Sequence, residues 1–336
     1  MSISIPFVLS TTELWSHPLS IFHNHNENRI DYTLKLENDN LIKCAYSVNN
    51  CLEKEMEFIR ISAPPSEEEK KKYKKQNNQI EPKNAKKIDI LKEYAEYGDI
   101  KANVKFEFKF NERENMLDII EKYNLDELVK GKNDVETAIA LMRWLCGRYK
   151  HGVPPGGLAD IRTPQELMAF ADKNGGTVCR GLALILVQLI RAYNIKAFHV
   201  TCYPYEQPFD DCHVVVCVYC ESLGKYIMLD PTSNIYMKNK NGEIIGVEEF
   251  RDILIADEET ILNEDYFKQN WNVAGYRDYM AKNLIRIERY NVNGYGEDGE
   301  SGCVVLIPEK YMQNEVKNFF ETKQKYYISS REDFWQ

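Results

Sequence analysis

No apolar run in the 336 residues approaches the roughly 18 needed to cross a bilayer, so no membrane span is expected. An excess of positive charge is missing too. The 43 Lys and Arg are outnumbered by 52 Asp and Glu, and a formal charge of −9 argues against a nucleic-acid binder. The amino end, MSISIPFVLSTTELW, lacks the basic stretch and long apolar run of a secretory signal, so a cytoplasmic location is expected. The nine cysteines are odd in number and lack the spacing of a disulfide framework, which points to reduced thiols. No internal repeat is evident, and no acidic run reads as a calcium site. What remains is 43% hydrophobic and 28% charged residues, a globular composition with enough length for two or three structural units around a sizeable core.

Those units separate by pattern. Residues 29–62 alternate as RIDYTLKLE, NLIKCAYSV and EMEFIRISA with Asn/Asp turns between them, and NVKFEFKF at 103–110 reads as a further strand. Residues 1–125 are therefore expected to form a β-rich unit. It is interrupted by the charged segment 66–93, where nine lysines against six acidic residues read as a solvated loop. Residues 126–262 hold the chemistry-bearing segments. Residues 263–336, Tyr-rich and less regular, are expected to pack on that core or to bound its cleft.

Three residues in order carry the chemistry: Cys179 opening an apolar helix, His213 opening an apolar strand, and Asp230 closing the next strand. Together they supply a nucleophile, a base and an orienting carboxylate. Thr177 is a candidate N-cap, which puts Cys179 in the first helical turn, where free N–H groups and the helix dipole favour a thiolate and a developing oxyanion. Gly175, Gly176 and Gly181 leave room for a substrate chain near the backbone. The run Leu182–Ile190 is apolar on nearly every face and reads as a buried central helix. Between HVVVCVYC and KYIMLD, the segment ESLG reads as a short hairpin loop. Pairing Cys220 with Lys225 then sets Asp230 opposite Val215, diagonal to His213 on one face; a slip of one residue would separate them.

Taken singly, each residue has a plainer reading. A cysteine at the start of a buried helix is commonly an inert small hydrophobe, and an Asp before Pro commonly just starts a turn. Their joint order and compatible register favour a Cys-His-Asp site. His151, in KHGVPPGGL, is a candidate further donor in the cleft or a surface loop residue. Trp144, Met142 and His199 read as structural. Cys202, Cys212, His213, Cys217 and Cys220 cluster in sequence, but residues three apart in a strand point to opposite faces, so a metal site is not expected.

The ordered triad, the upstream VETAIALMRWLCGRYKHG and RTPQELMAFADKNGGTVCRG, the passage RAYNIKAFHV, and DPTSNIYMKNKNGEIIGVEEFRDILI with the later YRDYMAKN resemble the transglutaminase-like superfamily, and within it a poorly characterised bacterial branch. The resemblance spans residues 133–262. It implies an α+β fold with a papain-like core, in which Cys179 lies on a central helix packed on an antiparallel sheet carrying His213 and Asp230. It also implies thioester chemistry on a protein or peptide amide; from the residues themselves no cofactor and no metal are expected. Hydrolysis is favoured over amine transfer, since nothing in the sequence builds a dry amine channel. A binding or scaffold protein that keeps the fold without the activity is the competing reading. Oligomeric state is not legible.

Overall fold

The computed structural model describes residues 19–25, 28–38, 41–48 and 51–59, and residues 87–336 apart from 103, 110–111, 153–162, 206–211, 269, 297–301 and 312–324. The PPGG loop at 154–157 and all but the last few residues of the charged segment 66–93 lie outside them. The chain divides into two compact units between Lys83 and Asn84 rather than at 125/126.

The first unit contains an antiparallel meander of β1 (Leu19–His25), β2 (Asn28–Asn38), β3 (Leu41–Val48) and β4 (Cys51–Ile59), each hydrogen-bonded to the next. The segments that alternate in sequence are the ones that pair, Ile30 with Val48 through Leu36 with Ile42.

The second unit begins with α1 (Lys87–Glu93), β5 (Glu107–Phe108), α2 (Glu112–Asn115), α3 (Leu117–Lys122), α4 (Leu125–Val129), α5 (Asp134–Arg148), β6 (Lys150–His151) and α6 (Pro164–Asn174). There follow β7 (Gly176–Thr177), α7 (Cys179–Arg191), β8 (Ala197–Tyr203), β9 (His213–Cys220), β10 (Lys225–Leu229), β11 (Met237–Asn239), α8 (Val247–Ile255) and β12 (Thr260–Leu262). The chain closes with α9 (Val273–Asn283), β13 (Arg286–Tyr290), β14 (Val292–Asn293), β15 (Cys303–Leu306), β16 (Lys325–Ile328) and α10 (Arg331–Phe334). Among the described residues of 103–110, expected to extend the first unit's sheet, only the two of β5 are in a strand. They pair in parallel with β14, 185 positions on (292 − 107), inside the second unit. Its alternation signalled a strand, but nothing local could name so distant a partner.

Six strands form one mixed sheet in the order β10-β9-β8-β13-β15-β16, antiparallel except at the β15–β16 edge. Strands after residue 262 thus complete the sheet that His213 opens. Val214, Val216 and Val218 face a core built with α5, α6 and α7; Val215 and Cys217 face a second core with α8 and α9. Helices on both faces explain why HVVVCVYC is apolar throughout rather than alternating.

Helix α7 is the rigid element of the unit. Every residue from Gly181 to Arg191 is buried, and truncating one of its leucines to Ala would cost roughly 2–5 kcal/mol. At its far end Arg191 Nε lies 2.8 Å from Glu112 Oε1, both side chains fully buried, which ties α7 to α2. Its start is set by α6. Thr163 caps α6 in a reciprocal capping box with Glu166, Pro164 occupies the first turn, and Gly175 at φ +76° ends it. Between that stop and Cys179 lie only Gly176, Thr177 and Val178.

Candidate active site

Cys179 is the first residue of α7, and the N-cap is Val178, extended and without a side-chain cap bond. Thr177 is therefore not the cap. Its backbone is committed to β7, paired with His151 in β6, and its hydroxyl is buried without a partner. The room expected beside Gly176 is likewise filled by β6: a Cβ there would lie 2.1 Å from the Lys150 carbonyl oxygen. Among the described residues no side chain is seen to cap the first turn, so the positive pole of the helix bears on the half-buried thiol.

His213 and Asp230 meet as the register requires. Lys225 pairs with Cys220 and Leu229 with Val216, so continuation of the ladder carries Asp230 opposite Val215. His213 Nε2 and Asp230 Oδ2 are 2.7 Å apart and both groups are buried. Asp230 is held from two further directions: Thr232 N–H donates to Oδ1 at 2.9 Å, and the Tyr276 hydroxyl donates to Oδ2 at 2.9 Å. The turn after Asp230 is itself pinned. Asn234 sits at φ +55°, donates to the Asp265 carbonyl at 2.9 Å, and accepts from Asn263 at 2.8 Å.

The His151 and His213 imidazoles and the Val214 N–H are the groups that favour the anion at Cys179. Burial alone would push its pKa up; the two imidazoles, the His213 charge and that N–H outweigh it and bring it down to about 6. For His213, burial favours the neutral ring, but the Asp230 carboxylate and the sulfur hold the proton, pushing its pKa up to about 10. Asp230 stays below the usual carboxylate range: burial opposes its charge, but the His213 cation and three hydrogen bonds prevail. A thiolate-imidazolium pair backed by a buried carboxylate is thus the form favoured at neutral pH.

Two aromatic residues that sequence reasoning passed over complete the setting. Tyr276 and Tyr279 lie three apart on α9, so both face the same neighbours. Tyr279 meets the His213 ring edge-on at 5.2 Å and is itself covered by Trp271 at 4.8 Å. The spacing in YRDYMAKN was the available signal. Among the described residues no three His, Cys, Asp or Glu side chains are placed to hold a metal ion, and no helix is long and apolar enough to cross a membrane. His199 is buried, with its ring edge-on to Tyr290 at 5.1 Å, and Met142 lies in the core.

No protein-family model matches the chain, and no curated protein does. Among solved structures it is similar to a protein described as "Putative Cysteine Protease from Cytophaga hutchinsonii", at 20% identity over 44% of this chain and 48% of that one, with a TM-score of 0.28. It is similar also to a "putative protease from Parabacteroides distasonis", at 13% identity over 64% and 36% with a TM-score of 0.27. Red sea bream transglutaminase is a third, at 12% identity over 68% and 43% with a TM-score of 0.26. The chain spans between about a third and a half of the length of these proteins.

Proposed function

We propose that this protein is a transglutaminase-like cysteine enzyme that cleaves protein or peptide amide bonds through a thioester, with Cys179 as nucleophile, His213 as acid and base, and Asp230 as the carboxylate that orients the ring. The reacting residues lie in 126–262, and strands from 263–336 complete the sheet that carries His213. The observation that carries the reading is a half-buried cysteine that opens a buried helix, with an imidazole fixed 2.7 Å from a buried carboxylate on the sheet packed against it.

The steps balance. The Cys179 thiolate attacks the amide carbon, and the negative charge that develops on oxygen faces the free N–H groups of the first turn of α7. Collapse breaks the C–N bond, and the amine leaves with the proton of His213. Neutral His213 then takes a proton from water as that water attacks the thioester, releasing the acid and restoring the ion pair. Hydrolysis is favoured over amine transfer because it asks only that water reach the sulfur, and Cys179 is partly exposed with an exposed His151 beside it.

The test is incubation with a glutamine-containing peptide library, with and without a labelled primary amine, followed by mass spectrometry for the wild type and Cys179→Ser. Hydrolysed products that vanish in C179S are expected. Labelled adducts in preference to hydrolysis at millimolar amine would reverse the preferred acceptor. No product with any donor would leave the fold to a binding protein.

A further inference from the structure

The sulfur of Cys179 is reached by two imidazoles, and the second has no part in the scheme above. The β6–β7 ladder sets His151 beside Thr177, two residues before Cys179, and its imidazole is among the groups that favour the thiolate there. Its place is fixed by backbone rather than by a loose loop. Lys150 pairs with Gly176 and His151 with Thr177 in a parallel ladder, and the Gly152 N–H donates to the Thr177 carbonyl at 3.0 Å. The ladder depends on Gly176, since any Cβ there would strike the Lys150 carbonyl. On its other side β6 follows α5 through Tyr149, whose ring is buried and whose N–H donates to the Leu145 carbonyl at 2.9 Å. Helix α5, which buries one face, and the buried helix α7 thus fix the positions of His151 and Cys179.

The two imidazoles differ in access. His213 is 4% exposed and one ring nitrogen is committed to Asp230, whereas His151 is exposed. Among the described residues, the other groups that act on or near the sulfur are the Val214 N–H and the Cys202 thiol, whose own pKa burial pushes far up. Neither replaces a donor on the open side.

We propose that His151 is a further catalytic residue: it donates a hydrogen bond to the Cys179 sulfur from the open flank and holds it as the attacking anion, while His213 serves the inner flank. This rests on the cysteine-enzyme reading above.

The experiment is the pH dependence of iodoacetamide alkylation of Cys179 in the full chain, read peptide by peptide by mass spectrometry with the buried thiols as internal standards. His151→Phe keeps a ring without a donor and His151→Gln keeps a donor without the ring. H151F is expected to raise the alkylation midpoint by about one unit, slowing reaction below that midpoint by about tenfold, and H151Q to stay within a few tenths of the wild type. Gly176→Ala, which displaces β6 with His151 still in the chain, is expected to move the midpoint as H151F does. A wild-type midpoint at the ordinary free-thiol value overturns both the enzyme reading and this assignment. A low wild-type midpoint that H151F leaves in place overturns the role of His151 alone. An upward shift shared by H151F and H151Q rules out hydrogen-bond donation as the cause.

Discussion

Two thiols sit at opposite poles of neighbouring helices and meet opposite fates. Cys146 lies in the last turn of α5, where its Sγ donates to the Pro231 carbonyl at 3.0 Å. Burial, then the negative charge of Asp230, push its pKa up to about 12. Cys179 opens α7 and is also penalised by burial, yet its pKa falls to about 6. Cys146 feels the Asp230 carboxylate directly, Cys179 through His213. The difference is what comes between: a backbone carbonyl and the negative end of a helix at Cys146, two imidazoles and the positive end of a helix at Cys179. Asp230 charges His213, and so stabilises an anion at one sulfur while opposing it at the other.

The strongest way to break this contrast is Asp230→Asn. The ring of His213 then loses the partner that fixes its orientation and holds its proton. By the precedent of serine triads, kcat/KM is expected to fall by up to about 10⁴-fold with the fold kept. The Cys179 alkylation midpoint should rise with it, while Cys146 stays unreactive at neutral pH. An Asn variant with an unchanged midpoint would mean that the two thiols differ for reasons unconnected to the carboxylate.

How much of this assembly the sequence carried depends on the distance over which each contact is specified. The His213 and Asp230 register was legible because the ESLG turn joins the two strands directly, and one pairing fixes every other. Helix α7 was legible from its apolar run. The neighbours of Cys179 were not. His151 arrives through a ladder of two residues per strand, too short for any periodicity, and the capping reading of Thr177 failed because that residue's backbone pairs with His151. Tyr276 reaches Asp230 across 46 residues, from a helix whose polar sequence gives no hint of what its buried face touches. Local pattern specifies elements and tight turns; short or remote pairings are chosen by packing.

A smaller effect is expected from a second matched pair, the buried imidazoles His213 and His199. His213 holds its proton more tightly folded than unfolded, so it contributes stability that is full below about pH 6.5 and is lost as pH climbs towards 10. His199 has no carboxylate. Burial, then the Arg180 and Arg191 cations, push its pKa down to about 3, so the folded state refuses a proton that the unfolded chain accepts near pH 6.5. Stability should therefore fall as pH drops below 6.5, by at most about 1.4 kcal/mol per pH unit from this residue. Thermal melts of the wild type and His199→Phe from pH 7 to 5 check it. The wild type is expected to lose more over that range, and parallel curves would show that His199 takes its proton without opening the core.

The smallest effect expected is that of Tyr276→Phe. The Tyr276 hydroxyl donates to Oδ2 of Asp230, the same oxygen that His213 engages, and burial keeps it a phenol by pushing its pKa far up. Phe250, stacked at 6.2 Å, and Trp271, edge-on at 5.8 Å, would hold the ring of the variant where it is. Only the hydrogen bond is lost, and one such bond is worth about 1 kcal/mol, so kcat/KM should drop about fivefold. A second readout separates this from simple destabilisation. With one donor fewer, the Asp230 carboxylate is more basic and holds the His213 proton more tightly. The decline in rate at alkaline pH, where His213 loses its proton, should begin a few tenths of a unit higher in the variant. A pH profile superimposable on the wild type would mean that Thr232 N–H and His213 suffice to hold the carboxylate, and that Tyr276 is there to fill space between α9 and the sheet.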